Sequence, residues 1–417
     1  MPDPEIRNLL KKYSASQLNS DVGLADLLKK MYSSERHIGV LFYFFNNDTL
    51  RRAYYEPGKI IEVKQIPIKR AALMSLGANI SQALNLYKLS ESRSPRLRGT
   101  VPLTKENKSI SLEVAIKNAT SILIPSCFDE ATKHLLIIPA LNIGTIPFHL
   151  LQPYPNKDVL ADRCSFTIVP SLIDLVALRS KILKRKSDSW DGGALPADFD
   201  SSDFNQLNEN KFTLENALFV SNPAYPVDGK FNFPNLPGAI KEIDAAKPYA
   251  RNYRLFEGKF ASKDSIIKYL PDADVAYFAT HGIADQDDPM GKSFLILAGN
   301  DGYFTAKEIM NLARGEQNLP EMIILSACQT GLGKSFEAGT AGLARSFLLG
   351  GSNHVIMSLW NVDDQATAYL MSRFIFHLQS PHQFMPAEPL RLAILDTKRL
   401  YKNPALWASF SLFRIDY

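Results

Sequence analysis

The stretch Glu321-Met-Ile-Ile-Leu-Ser-Ala-Cys-Gln-Thr-Gly-Leu-Gly-Lys-Ser335 contains a short apolar run that ends on a cysteine followed by glycines. Met322 to Leu325 has the length and branching of a central strand, and the segment from Thr340 to Leu349 has apolar residues at helical spacing. Cys328 is therefore predicted to lie in a strand-to-helix turn. In an open parallel sheet such turns lie at the carboxyl edge of the strands, where binding crevices form.

A second strand of the same design ends on a histidine. Residues 275–280, Val-Ala-Tyr-Phe-Ala-Thr, are followed by His281 and Gly282. If both strand ends face one crevice, the imidazole can take the proton of the Cys328 thiol, because only the thiolate attacks. Gly282 and Gly331 leave the backbone uncrowded, so main-chain N–H groups could bind the oxyanion of a tetrahedral intermediate.

Composition limits the class of protein. A hydrophobic content of 46% over 417 residues supports ordinary globular cores, and a formal net charge of +4 gives no argument for direct nucleic-acid binding. The cysteines Cys127, Cys164 and Cys328 form no CxxC pair, which favours a reducing compartment and argues against structural zinc. The amino terminus lacks a signal-peptide core, and the apolar runs are too short to span a bilayer. A cytoplasmic protein without a membrane partner is therefore predicted.

Four segments are distinguished along the chain. Residues 1–36 carry two short amphipathic helices, and residues 37–183 show a mixed α/β pattern without a convincing nucleophile and base of their own. Residues 184–213 are polar, acidic and rich in turn formers, which predicts a flexible linker or a long surface loop. Residues 214–417 alternate strands with helices, which predicts a mostly parallel sheet with helices on both faces.

Other chemistries fit the residues less well. Residues 328–335 follow the phosphate-binding loop pattern except that cysteine replaces its first glycine, so a P-loop-like nucleotide hydrolase is kept as an alternative. A cysteine phosphatase would need an arginine where the chain has Lys334. The histidines do not make the HExxH pair of a zinc peptidase, so no metal is predicted. Cys127 and His134 are close in sequence, but His134 precedes its strand, and this pair is not taken as catalytic.

The residues around both strand ends resemble the CHAT family of caspase-like cysteine peptidases, which are also similar to separase. The separation of His281 and Cys328, roughly 50 positions, is also near that of the histidine and cysteine of caspases. The motifs that carry the resemblance occur in the right order and cover nearly the whole chain from about residue 37. They are Ile138-Pro139, Ile146-Pro-Phe148, Leu236-Pro-Gly-Ala239 with Glu242, Tyr277-Phe-Ala-Thr-His-Gly282, Ser326-Ala-Cys-Gln-Thr-Gly331, Gly342-Leu-Ala-Arg-Ser-Phe347, Ser358-Leu-Trp-Asn-Val-Asp-Asp364 and Trp407-Ala-Ser-Phe410.

This resemblance implies a caspase-like three-layer sandwich in two halves, an inactive caspase-like half at 37–183 and an active peptidase half at 214–417. His281 would be the general base and Cys328 the nucleophile. The oxyanion would be held by the backbone N–H groups of Gly282 and Cys328, and no cofactor is needed.

The resemblance also implies where the residue before the cut is bound. The loop after residues 354–360 resembles the segment that lines this pocket, and it contains Asp363 and Asp364. A buried carboxylate there would favour arginine or lysine, and Asp364 is preferred for this role. The alternative is that one of the two caps the helix that starts at Gln365.

The predicted function is a cysteine endopeptidase that cuts a specific protein after arginine or lysine. By analogy with the family, the substrate would be a pore-forming or other effector in antiviral defence or programmed cell death of bacteria, and an activating protein partner would control the enzyme. Many family members join this domain to helical repeats, and no such repeat is found in the sequence. The alternative from another class is a catalytically silent caspase-like scaffold or binding module.

Overall fold

The computed structural model describes most of the chain from residue 37 onward. The described residues are 37–56, 59–84, 96–97, 110–128, 130–170, 214–227, 231–285, 288, 290–312, 319–326, 339–360, 363–379 and 386–414. The predicted helices of residues 1–36 and the predicted linker 184–213 lie outside them. The domain boundaries therefore stay predictions.

The strands follow the apolar and β-branched runs of the sequence, which bury side chains well in a pleated sheet. Most are buried on both faces, as expected for the interior of a helix-covered parallel sheet. They are β1 (Ile38–Asn46), β2 (Thr49–Glu56), β3 (Lys59–Pro67), β4 (Arg96–Leu97), β5 (His134–Ile138), β6 (Ser165–Ile168), β7 (Asn216–Pro223), β8 (Phe231–Asn232), β9 (Asn252–Gly258), β10 (Val275–Ala279), β11 (Gly282–Ile283), β12 (Phe294–Ile296), β13 (Tyr303–Thr305), β14 (Met322–Leu325), β15 (His354–Ser358) and β16 (Phe410–Arg414).

Some helices start where a capping residue satisfies, or a proline removes, one of the first backbone donors. Ser111 and Ser262 accept hydrogen bonds as N-caps, and Pro237 is the first residue of its helix. Among the described helices, none is long and apolar enough to cross a bilayer. They are α1 (Arg70–Ala83), α2 (Leu112–Leu123), α3 (Leu160–Arg163), α4 (Pro237–Ala246), α5 (Lys263–Tyr269), α6 (Ala306–Leu312), α7 (Gly339–Leu349), α8 (Asp364–Leu378) and α9 (Ala387–Leu400).

One eleven-stranded sheet runs through the described structure in the order β3-β2-β1-β5-β6-β16-β15-β14-β10-β7-β9. Its neighbours pair in parallel except at β1–β2, β2–β3 and β15–β16. A three-stranded sheet, β11-β12-β13, and the two-strand pair β4-β8 lie beside it. The predicted mostly parallel α/β fold is confirmed.

Two adjacent residues of β10 show that helices cover both faces of the sheet. The hydroxyl of Tyr277 donates a hydrogen bond of 3.1 Å to Glu242 of α4, whereas the ring of Phe278 lies 5.9 Å from the ring of Phe347 of α7. Successive side chains of a strand point to opposite faces, so α4 and α7 lie on opposite sides. Helices α4, α8 and α9 pack side by side in one layer, and α6 packs against α7 in the other.

The two halves of the chain share the sheet and are also joined by side chains. Strand β6 of the first half pairs in parallel with β16 of the second. His149 Nε2 donates to the carbonyl oxygen of Phe410 at 2.9 Å, and Arg391 of α9 donates to the carbonyl oxygens of Ala161 and Asp162, both at 3.1 Å. The halves therefore form one continuous hydrogen-bonded structure.

Neither β2 nor α2 was predicted from the sequence. A buried arginine explains why β2 was missed. Arg52 of β2 is 1% exposed. Its guanidinium donates to Glu62 of β3 at 2.6 and 3.1 Å and to the carbonyl oxygens of Ile122 and Ile124 at 2.8 and 2.7 Å. The charge is thus satisfied by partners distant in sequence, so a segment that looks polar becomes an interior strand.

The buried imidazole of His149 predicts a loss of stability in acid. Burial lowers the pKa of His149 to about 4, from 6.5 in the unfolded chain. Between these values the unfolded chain binds the additional proton, so the free energy of unfolding falls as the pH drops from 6.5 to 4. His149→Gln should reduce this fall by about 3 kcal/mol at pH 4. Denaturant unfolding at several pH values measures it. The control is His37→Asn at an exposed position, and an unchanged slope in His149→Gln would contradict the prediction.

Candidate active site

The predicted base and nucleophile follow two strands that are neighbours in the sheet. Strands β10 and β14 pair in parallel from Val275 with Met322 to Phe278 with Leu325. The pairing continues where Ser326 N donates to the carbonyl oxygen of Phe278 at 3.0 Å. Both chains therefore leave the sheet side by side at its carboxyl edge.

His281 is held by a backbone carbonyl. It is 5% exposed, and its Nε2 lies 2.7 Å from the carbonyl oxygen of Pro234. A carbonyl oxygen can only accept, so Nε2 carries the hydrogen in this contact. In the neutral imidazole the lone pair is then on Nδ1, which is the atom that can take a proton.

Two aromatic rings flank the imidazole of His281. The ring centroid of Tyr225 lies 4.8 Å away and that of Phe233 lies 5.6 Å away. Both rings and Pro234 belong to the described segment of residues 222–227 and 231–236, which leads from the last two residues of β7 to the start of α4. We call this segment the histidine cradle.

The chain after His281 enters the three-stranded sheet. The carbonyl oxygen of His281 accepts from Ile296 N at 2.9 Å, and Gly282 pairs with Leu295. Gly282 is buried at the carboxyl edge beside the imidazole. Its role in an oxyanion hole stays a prediction.

Cys328 lies outside the described residues, as do the rest of 327–338 and therefore Gly331 and Lys334. The described chain ends at Ser326 on the near side and resumes at Gly339, the first residue of α7.

The two candidate pocket aspartates have different surroundings. Asp363 is exposed and is the N-cap of α8, where its carboxylate accepts from the N–H groups of Gln365 and Ala366 at 2.9 and 3.1 Å. Asp364 is half-buried and lies against Gly238 in the first turn of α4. A carboxylate is favourable beside a helix amino terminus because of the helix dipole. Asp363 therefore has the capping role, and the pocket role of Asp364 stays a prediction.

The remaining described thiols and the first-half histidine have structural surroundings. Cys164 is fully buried, and burial raises the pKa of its thiol well above the usual range. Cys127 is exposed, but partial burial and the charge of Glu62 raise its pKa. His134 is the first residue of β5, and burial lowers its pKa to about 3. Within the described ranges, no group of three or more His, Cys, Asp or Glu side chains is placed to hold a metal ion.

The sequence did not identify Tyr225, Phe233 or Pro234 as parts of the site. Their contacts with His281 arise from tertiary structure, since Pro234 is 47 positions away in sequence. Their location in the sequence could have pointed to the site. They lie between the end of β7 and the Leu236-Pro-Gly-Ala239 motif, at the same edge of the sheet.

The comparisons with known proteins agree with this architecture. The family profile of the CHAT domain matches residues 115–414. Among curated proteins, tetratricopeptide repeat protein 28 of Homo sapiens is 22% identical over 322 residues, 68% of this chain, and its Mus musculus counterpart is 21% identical over 321 residues. The chain spans 12% of the length of each. The separase of the Saccharomyces cerevisiae separase-securin complex superposes with a TM-score of 0.51 at 14% identity, covering 95% of this chain and 31% of that chain, which shows the fold alone.

The close contact between Gly238 and Asp364 predicts that a methyl group added at position 238 destabilises the protein. A Cβ at Gly238 would clash with Oδ2 and with the Cβ of Asp364. Gly238→Ala should therefore lower the free energy of unfolding by about 1–3 kcal/mol. In the control Gly77→Ala, also within a helix, the new methyl would lie 3.5 Å from Ile146, so this variant should gain up to about 1 kcal/mol from helix propensity. Denaturant unfolding measures both, and a Gly238→Ala protein as stable as wild type would contradict the prediction.

Proposed function

We propose that the chain, which belongs to the CHAT family, is a cysteine endopeptidase with His281 as general base and Cys328 as nucleophile. The caspase-like fold and the family membership support this function.

The observation that carries the proposal is the register of β10 and β14. It aligns Phe278 with Leu325, and three residues further along each chain are His281 and Cys328, so the two residues follow adjacent strand ends at the same distance in sequence. Neighbouring strands lie about 4.8 Å apart, so side chains just beyond their ends can come within reach of each other. The hydrogen bond from His281 Nε2 to Pro234 adds support, because it leaves the lone pair on Nδ1.

The proposed reaction proceeds through an acyl-enzyme. Nδ1 of His281 takes the proton of the Cys328 thiol, and the thiolate attacks the peptide carbonyl carbon. The N–H groups of Gly282 and Cys328 bind the resulting oxyanion. When the C–N bond breaks, the imidazolium gives its proton to the leaving amine, and a thioester remains. Water, deprotonated by the same imidazole, then attacks the thioester, releases the carboxylic acid and restores the thiol.

We further propose cleavage after arginine or lysine, with Asp364 as the acidic residue of the pocket. Asp364 follows β15, the neighbour of β14 on the side away from β10, and so lies at the same edge of the sheet as His281. Its half-buried carboxylate would attract a cationic side chain more strongly than an exposed one, because screening is weaker there.

The proposed substrate and regulator are proteins. The yeast separase was solved in a complex with securin, and the curated relatives are named for tetratricopeptide repeats, which support a setting among protein partners. A regulated pathway of bacterial antiviral defence or programmed cell death, with a pore-forming or other effector as substrate, is carried over from the family resemblance.

The dyad predicts which substitutions abolish cleavage. Wild-type protein should hydrolyse fluorogenic peptides, and both Cys328→Ala and His281→Ala should lower kcat/KM at least about 10³-fold, because each removes a reacting group. Cys164→Ala serves as the thiol control and should retain activity, since this thiol is buried and protonated.

A peptidyl electrophile tests the same dyad when no substrate sequence is known. Mass spectrometry should find the adduct on Cys328, and His281→Ala should slow its formation. An inert Cys328 together with silent peptides would favour the scaffold alternative. A rise in Tm with ATP and magnesium would favour the nucleotide hydrolase.

The two aspartates predict separable effects on specificity and stability. Asp364→Asn should reduce kcat/KM for substrates with arginine or lysine before the cut at least about tenfold, and should leave uncharged substrates unaffected. Asp363→Ala should cost about 1 kcal/mol of stability through loss of the N-cap, with specificity unchanged. A peptide panel and denaturant unfolding measure both. The pocket assignment fails if Asp363→Ala, and not Asp364→Asn, changes the preference.

A further inference from the structure

We propose that Asn222 is a positioning residue for the general base. Its side chain joins the two ends of the histidine cradle and thereby fixes the Pro234 carbonyl that holds His281. This inference rests on the proposed function, in which His281 is the base.

The backbone at Asn222 is irregular in two ways. The residue lies near the end of β7, where the pairing with β9 shifts register between Ser221 and Pro223. Its φ is 39°, in the left-handed region that asparagine tolerates better than most residues. Irregularities of this kind near active sites turn a side chain away from its regular direction. Here the turned side chain is directed across the cradle.

The side chain of Asn222 reaches the other end of the cradle. Its Oδ1 accepts a hydrogen bond of 2.8 Å from the N–H of Leu236. Leu236 is the N-cap position of α4 and supplies no side-chain cap of its own. Pro234 lies two positions before this bond, so fixing Leu236 limits the movement of the Pro234 carbonyl.

Other contacts hold the start of the cradle and the beginning of α4. Ala224 N donates to the carbonyl oxygen of Gly258 at 2.9 Å, and Asp364 lies against Gly238 in α4. The Asn222 bond connects these two anchored ends directly. Phe233 also packs against Ile283, Phe294 and Ile296, but the Asn222 bond is the described side-chain contact that ties Leu236, two positions after Pro234, directly to β7.

The consequence for His281 is a defined ring orientation and tautomer. If the Pro234 carbonyl moves, Nε2 loses its acceptor and the proton can move to Nδ1, where it blocks the base. Geometric errors of about 1 Å in a catalytic group can cost about 10²-fold in rate. A role for Asn222 therefore does not require contact with the substrate.

Two substitutions at this position separate the side-chain acceptor from the backbone requirement. Asn222→Gly keeps the left-handed backbone and removes the acceptor, whereas Asn222→Asp keeps both an acceptor oxygen and tolerance of the left-handed region. Asn47→Gly is the matched control, because Asn47 also has a positive φ, 47°, and lies in the β1–β2 turn of the first half.

The experiment reads out His281 independently of peptidase activity. Protein labelled with ¹⁵N-histidine is studied by NMR, and the His281 signals are assigned by their loss in His281→Ala. Wild type, Asn222→Asp and Asn47→Gly should show a single neutral tautomer with the proton on Nε2. Asn222→Gly should show a mixture of tautomers and a kcat/KM at least about tenfold lower, with a shifted acid limb of its pH profile and little change in KM.

The outcomes separate this inference from the proposed function. An unchanged His281 signature in Asn222→Gly overturns the inference, as does an equally altered signature in Asn222→Asp. If Asn222→Gly fails to fold, hydrogen exchange of the Leu236 amide in the wild-type protein decides, and rapid exchange at the rate of an unstructured amide overturns the inference. A wild-type protein that shows the expected NMR signature but neither cleaves peptides nor takes up an electrophile contradicts the proposed function, and with it the catalytic part of this inference, while the NMR comparison of the Asn222 variants still decides whether Asn222 orients His281.

Discussion

The parallel pairing of β10 with β14 is the constraint on which the candidate site depends. Both strands are fully buried apolar runs, and their pairing in register makes both chains emerge at the same edge of the sheet. His281, which follows β10, therefore lies at the edge from which the chain after β14 also leaves the sheet, as the proposed dyad requires. The free energy that holds these strands in place comes from burial of apolar side chains in the core, where β10 is covered by α4 on one face and by α7 on the other.

The contact between His281 and Pro234 bears on the kind of nucleophile that the site suits. A neutral carbonyl fixes the orientation and tautomer of an imidazole, but it stabilises an imidazolium less than a carboxylate would. A serine hydroxyl needs strong help to lose its proton, whereas a thiol has a pKa near 8.5 and is more acidic by many orders of magnitude. A carbonyl-held histidine is therefore better matched to a cysteine than to a serine.

Much of the central sheet could be predicted from the sequence, because strands such as β10, β14 and β15 are continuous apolar runs that end on turn-forming residues. The resemblance added the family, and the position of His281 after a strand followed from the pattern alone. Three features could not be predicted because they depend on distant partners. Strand β2 contains Arg52, whose charge is satisfied by Glu62 and by carbonyl oxygens at the carboxyl end of α2. Strand β16, the last in the chain, lies between β6 and β15, so sequence order does not reveal that both halves share a sheet.

The third feature is the histidine cradle. Nothing in its sequence distinguishes the Pro234 carbonyl from any other, since a backbone acceptor has no residue-type signature. The sequence left open whether one of the two adjacent aspartates caps the following helix, and the structure shows that Asp363 does so through hydrogen bonds from Gln365 and Ala366. Which of two neighbouring carboxylates turns back onto its helix depends on the backbone angles of the preceding turn, which the sequence does not specify.

The shared sheet has a consequence for processing of the chain. Any cut between residues 170 and 214 would separate β6 from β7 in sequence, yet β6 would still pair with β16, and the contacts of His149 with Phe410 and of Lys398 with Asp162 would still join the two pieces. A nicked protein would therefore persist as a non-covalent heterodimer of native size. Gel filtration would show a protein of unchanged hydrodynamic size, whereas a denaturing gel would resolve two fragments. Cleavage between residues 170 and 214 would therefore leave the size of the native protein unchanged.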